Sequence, residues 1–261
     1  MGGAASASAR AFRRLNWGRI LRSTGTGVAL AGGGGMAAEL VSAARSGARA
    51  LDAIRRDSAE DGVSPLYMRL SGRLPLHSKV LRDRREIAEY LYDQIDKSTD
   101  NPVLRRIGRS QADMFARSVE SGANAAFMGR DWLGRPVFAM SKGGIGRRVL
   151  LHEVGHYLAS KKRPSSEAYM KEYERGAGVE KSLRNLFRPR LKSDSSGNLT
   201  RYGMEAEAWD LGGVPEGDAV REAALGSYDA DSRVSRASKA GWLAILGGAL
   251  LSAAGKARRI R

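Results

Sequence analysis

Apolar positions recur at helical spacing through most of the chain and gather into short consecutive runs in one region only. Residues 79–96 place Val80, Ile87, Leu91 and Ile95 one or two turns apart with charges between them, which predicts an amphipathic helix. Residues 101–120 predict a second, with Leu104, Ile107, Met114, Phe115 and Val119 on one side. Asn101 followed by Pro102 is a start signal: a side chain that accepts from orphan N–H groups, then a proline at the first helical position. The short apolar runs 125–128 and 136–140, separated by a glycine-bounded loop at 129–134, predict a β-hairpin. Pro136 belongs on an edge strand or at the first residue of its strand. Gly143-Gly144 marks a turn, residues 145–160 predict a helix, and Pro164 closes it. Helical segments follow at 167–186, 202–211 and 218–230, with a polar, basic loop at 188–198. There is no internal repeat. Helices, one small hairpin or sheet, then helices make an α+β domain that is mostly helical, not an alternating βαβ fold.

Charge changes the picture at the two ends. The chain has 261 residues and a formal net charge of +16. Residues 1–60 hold nine Arg against four acids, and residues 236–261 hold six Lys or Arg and no acid. The middle is close to balanced, with 29 bases against 24 acids. Three segments follow: a basic Gly/Ala-rich arm at 1–60, a domain at 61–235, and an apolar helix with a basic tail at 236–261. The arm is Arg- and Ser-rich and has no acid before Glu39, as in a targeting peptide or a phosphate-contacting arm. Four consecutive glycines, Gly32 to Gly35, make it a poor helix in water. Residues 240–255 carry no charge and are flanked by Lys239 and Lys256. As a helix these sixteen residues span about 24 Å, short of the roughly 30 Å hydrocarbon core. Trp242 suits a lipid interface. The expectation is an anionic membrane surface as partner for both ends, ahead of nucleic acid, and a membrane- or virion-associated protein rather than a freely soluble one.

The absence of cysteine excludes a disulfide framework, a thiol nucleophile and any thiolate metal site. Imidazole chemistry is confined to His77, His152 and His156, and His77 sits in a Pro- and Leu-containing linker. The other two fall in His152-Glu153-Val154-Gly155-His156, within the predicted helix 145–160. Residues four apart lie one turn above each other, so both imidazoles can grip one Zn²⁺ at about 2.0–2.1 Å. Leu150, Val154 and Leu158 occupy the opposite, core-facing side. Glu153 can reach the metal's water without binding the metal and take its proton as a general base. The hairpin just before this helix offers an edge for an extended peptide.

A catalytic zinc needs a third protein ligand and one open position. Lys162 stands where a third histidine would follow in an HExxHxxGxxH pattern, so the ligand must be Asp or Glu. Residues 202–210 supply Glu205, Glu207 and Asp210. Glu205 and Glu207 diverge by about 200° on a helix and cannot both face the ion. The HEVGH run followed by Glu205-Ala206-Glu207-Ala208 resembles the gluzincin branch of zinc metallopeptidases. That resemblance implies a zincin-like domain, Zn²⁺ as cofactor, His152, His156 and Glu205 as ligands, and Glu153 as general base. It covers roughly residues 121–230. Trp209 stands where some gluzincins carry Asp, so the resemblance leaves Asp210 or Glu207 to support a ligand from behind. Tyr202 or Tyr228 is a candidate to stabilise an oxyanion, Tyr157 a packing residue, and the run Lys161-Lys162-Arg163 a solvated helix end.

These readings converge on a zinc metallopeptidase with a peptide or protein substrate. The competing expectation is a membrane- or virion-associated structural protein, binding lipid or nucleic acid through its ends and carrying an inactive zincin-like domain.

Overall fold

The hairpin and the flanking helices assemble into a layered domain. The computed structural model describes residues 17–64, 68, 69, 72, 74–122, 125–185, 188 and 191–257, with backbone alone for 17–32, 166, 183 and 250–257. The basic stretches before Trp17 and after Ala257 lie outside the described residues. In chain order the elements are α1 (Trp17–Glu60), β1 (Gly62–Val63), β2 (Lys79–Leu81), α2 (Arg84–Ser98), α3 (Pro102–Glu120), β3 (Ala126–Arg130), β4 (Pro136–Ala139), β5 (Ile145–Gly146), α4 (Arg147–Lys161), α5 (Ser166–Glu180), a 3-10 turn (Leu183–Asn185), α6 (Arg201–Gly212) and α7 (Ala219–Ala257). The protein is therefore mostly helical with two small sheets, an α+β architecture. The chain divides into two units, one formed by 45–180 and 190–229, the other by 1–44, 181–189 and 230–261.

In the first unit β4 is the central strand of a three-stranded sheet, parallel to β2 and antiparallel to β3. All four β4 residues are buried, as expected for a strand covered on both faces. Successive side chains point to opposite faces. Val137 and Ala139 join Ile87 and Ala88 of α2 and Ala116 and Val119 of α3. Phe138 and Met140 join Leu150 and Val154 of α4 and Trp209 of α6. The sheet is thus sandwiched between α2/α3 and α4. Pro136 is the first residue of its strand, where a missing N–H costs no ladder bond.

Three elements of this unit differ from the sequence reading. The segment at 79–96 does not start as a helix: residues 79–81 pair with 137–139, and α2 begins only after Asp83, whose carboxylate accepts from the Arg85 N–H at 2.8 Å. Helix α3 starts as read, with the Asn101 carboxamide accepting from Val103 and Leu104. Its apolar stripe is its buried face only in part: Val119 is fully buried and Phe115 packs on the same cluster, but the rest of the stripe faces outward. Leu104, Ile107 and Met114 are at least half exposed, while Ala112 and Ala116 are buried, because α3 packs close to its neighbours through small residues. Finally, Ile145 and Gly146 form a strand with Val63 and Gly62, so α4 begins at Arg147.

That start is fixed by Asp57 of α1. Its buried carboxylate accepts from the Arg148 N–H at 3.2 Å and pairs with the Arg148 guanidinium at 2.7 Å. A carboxylate at the positive end of a helix stabilises it. A Cβ on Gly146 would sit 1.9 Å from the Asp57 carboxylate, so glycine is required there.

The second unit holds the two remaining long helical stretches. Helix α1 runs through Gly32–Gly35 without a break, against the expectation of a poor helix. Flanking Ala, Leu and Met are strong helix formers and carry the glycines. The helices expected at 218–230 and 240–255 are one continuous helix, α7. Within this unit Arg233 of α7 lies 3.9 Å from Glu39 of α1. No described helix is long and apolar enough to cross a membrane.

Candidate metal centre

Helices α4 and α6 cross at glycines. A Cβ on Gly155 would lie 1.7 Å from the Ala208 carbonyl oxygen, and one on Gly212 would lie 2.3 Å from the Leu151 oxygen. Only with hydrogen at both positions can the backbones approach this closely. The approach brings His152, His156 and Glu205 together. Their Nε2, Nε2 and Oε2 atoms form a triangle with edges of 3.0, 3.1 and 3.4 Å.

A tetrahedral ion with bonds of about 2.0–2.1 Å separates its ligand atoms by about 3.3 Å. The triangle fits. Glu205 is 2% exposed, and among the described residues its Oε2 has nothing to satisfy it beyond the two imidazole nitrogens of the triangle, a costly arrangement for a buried carboxylate oxygen unless a cation takes it. This buried group of two imidazoles and one carboxylate can therefore hold a metal ion.

A polar shell orients the three donors. The Tyr169 hydroxyl is 2.6 Å from Nδ1 of His156, which directs that ring's Nε2 inward. The Tyr173 hydroxyl donates to Oε1 of Glu205, and Nε of Arg201 donates to the Tyr173 hydroxyl at 2.8 Å. His152 is held differently. Its ring stacks on Trp209, centroids 4.2 Å apart and planes 25° apart, and its Nδ1 has no hydrogen-bond partner among the described residues. Burial pushes the Glu205 carboxyl up, but the His156 and His152 imidazoles outweigh it and hold the group well below the usual carboxylate range. Burial likewise raises Glu153, against a partial offset from the same two rings.

Glu153 lines a cavity of about 270 Å³ with His156, Glu205, Tyr173 and Tyr228. Its Oε2 accepts from the Phe127 N–H at 2.6 Å. Phe127 belongs to β3, which has a neighbour on one side only among the described strands. The open edge of the sheet therefore lies at the cavity.

The structure brings together His152, Glu153, His156 and Glu205. It does not bring Glu207 or Asp210 to the triangle. Glu207 pairs with Arg163 at 2.9 Å and with Lys162 at 3.3 Å, and Asp210 pairs with Arg221 at 2.6 Å. Neither supports a ligand from behind; Trp209 and Tyr173 do that. Arg163 is not a solvated helix end, since its guanidinium is largely buried between Glu172 and Glu207. Tyr202 is buried in the core and does not line the cavity, whereas Tyr228 does. Tyr157 packs edge-on against Phe127 and Phe138, as read. His77 is exposed and is not part of the cluster. Tyr169, Tyr173 and Arg201 escaped the sequence reading. The four-residue spacing of the two tyrosines, which puts both on one face of α5, was the available signal.

No protein family, curated protein or solved structure matches this chain.

Proposed function

We propose that the protein is a zinc-dependent metallopeptidase of zincin type, gluzincin-like in its ligand set. One observation carries the reading: a buried carboxylate oxygen from α6 meets both imidazoles of the HEVGH helix at ligand-to-ligand distances. Two His nitrogens and a Glu oxygen are a donor set suited to Zn²⁺, with one position left open. Zinc bound there supplies Lewis acidity, polarising a carbonyl and lowering the pKa of a water molecule.

The remaining work falls to the chain. Glu153 borders the open side of the cluster and is kept more basic than an ordinary glutamate by burial, which suits a proton acceptor. Its Oε2 is tethered to the Phe127 amide, so Oε1 is the oxygen left to take the proton and pass it to a leaving amine. The edge of β3 offers backbone groups along which an extended peptide can lie. Tyr228, in the cavity wall, is placed to donate to an oxyanion. The charge of neighbouring Glu205, and then burial, keep its hydroxyl protonated.

Digestion of casein and of a mixed peptide library by the purified chain tests this. Cleavage that stops on chelation, returns with added zinc and is lost in Glu153→Gln is the expected result. Cleavage that is absent with a full complement of zinc, or indifferent to Glu153→Gln, overturns it.

A further inference from the structure

In the unit formed by residues 1–44, 181–189 and 230–261, the C-terminal half of α7 leaves large apolar side chains outward. On α7, Gly241 and Gly248 are buried and Ala244 and Ile245 are half-buried, a spacing that puts all four on one side of the helix. Trp242, Leu243 and Leu246 point the other way, each more than half exposed. On α1, Leu40 and Val41 are also exposed, at 56% and 51%. In water large apolar side chains go inside and small ones tolerate the surface. Three large apolar side chains left outward on one helix side, opposite Gly241, Ala244, Ile245 and Gly248, form a surface suited to a lipid interface.

Charge selects among the occupants that could cover this face. Lys239 and Lys256 flank the uncharged run, Arg258, Arg259 and Arg261 follow it in sequence, and residues 236–261 contain no acid. A second copy would bring the same positive charge against itself, whereas a negatively charged bilayer complements it. The uncharged run is too short to cross, so the fit is a helix lying in the interface with its apolar side among the acyl chains and its cations at the phosphates. Trp242, amphipathic and exposed near one end, sits where such a helix anchors.

We propose that this unit seats its outward apolar face, Trp242, Leu243 and Leu246 of α7, in the interface of an anionic lipid bilayer. The surface is independent of the metal centre and holds whether or not the protein cleaves peptides.

Flotation of the full chain with vesicles of phosphatidylcholine containing about 30% phosphatidylserine tests it, in low salt and in about 1 M NaCl, where purely electrostatic attraction is screened to about 3 Å. The wild-type chain floats in both. Leu243→Glu/Leu246→Glu, which alters exposed positions and leaves the fold intact by circular dichroism, loses at least about tenfold of the salt-resistant fraction. A second measurement needs no disruptive variant: lipids brominated on their acyl chains quench the wild-type fluorescence, and most of that quenching disappears in Trp242→Phe. Binding that washes off fully in salt overturns the proposal in favour of a merely electrostatic arm. Failure to float, with light scattering giving twice the chain mass, overturns it in favour of a second copy on this face. Quenching unchanged in Trp242→Phe also overturns it.

Discussion

Gly155 and Ala208 meet where α4 crosses α6, so tightly that a methyl group on Gly155 would overlap the Ala208 carbonyl oxygen. This crossing, rather than either helix alone, sets the distance from the two imidazoles to Glu205. Ala is a better helix former than Gly by about 1 kcal/mol, so in an isolated helix Gly155→Ala would stabilise. Here the added carbon meets backbone, which cannot rotate away, and overpacking costs about 2–3 kcal/mol. The expected net result is a lower Tm together with weaker zinc binding. Thermal unfolding and metal titration on the same sample check it. A rise in Tm with unchanged zinc affinity would show that the helices do not approach as described.

The ligand triangle makes a direct prediction about stoichiometry. Purified protein carries about one zinc per chain, and Glu205→Ala and His152→Ala each lose it. Glu207→Ala and Asp210→Ala keep it, because those carboxylates are engaged with Arg163 and Arg221. Mass spectrometry of metal content separates the two groups of variants. Zinc retained by Glu205→Ala but lost from Glu207→Ala would reverse the ligand assignment.

Replacing Glu153 by Gln should separate binding from chemistry. The amide oxygen can still accept from Phe127, so fold and zinc content are expected to be unchanged. Turnover should fall by about 10²–10⁴-fold, the usual contribution of a positioned general base. Initial rates on a peptide substrate, at matched zinc occupancy, supply the measurement.

Tyr173 would act on a metal bound at the cluster through Glu205. Without its hydroxyl the carboxylate loses one fixed oxygen, and Arg201 loses an acceptor. Tyr173→Phe is expected to weaken zinc binding by about 10–100-fold while leaving one zinc per chain at saturation. Competition against a chelator of known affinity reads this out, and an affinity equal to wild type would remove Tyr173 from the site.

The HEVGH pattern and Glu205 were legible because a metal site demands particular donor atoms at particular spacings, and few residues in this chain supply them. The supporting shell was not. Tyr169 reaches His156 and Tyr173 reaches Glu205 from α5, and Arg201 holds Tyr173 from α6, so these roles exist only once α5 docks on α4 and α6. Periodicity found the helices but misjudged α3, since it ranks faces by hydrophobicity and cannot see that close packing selects Ala112 and Ala116 over Leu104 and Met114. It also joined residues 79–81 to α2, because three residues are too few for a period of two to stand out from a period of 3.6.

Asp57 links the distal part of α1 to the helix that carries both imidazoles. Its loss would leave the Arg148 N–H at the start of α4 without its acceptor and one guanidinium contact empty, although Arg148 keeps Asp218 at 2.8 Å and is partly open to solvent. Asp57→Ala is accordingly expected to cost about 2 kcal/mol, less than a fully enclosed pair would. Urea denaturation at constant zinc gives the number, and a change below the error of extrapolation would argue that α4 starts without help from α1.

An unpaired strand is a hazard in any protein, because its bare amides and carbonyls will template whatever extended chain arrives, including a misfolded neighbour. At β3 that hazard is contained from within. The Phe127 rung is already taken by a carboxylate from the adjacent helix, so a passing strand cannot zip along the whole edge. Aggregation would have to bury that acid against a competing backbone, whereas a short guest that stops beside it pairs without displacing anything.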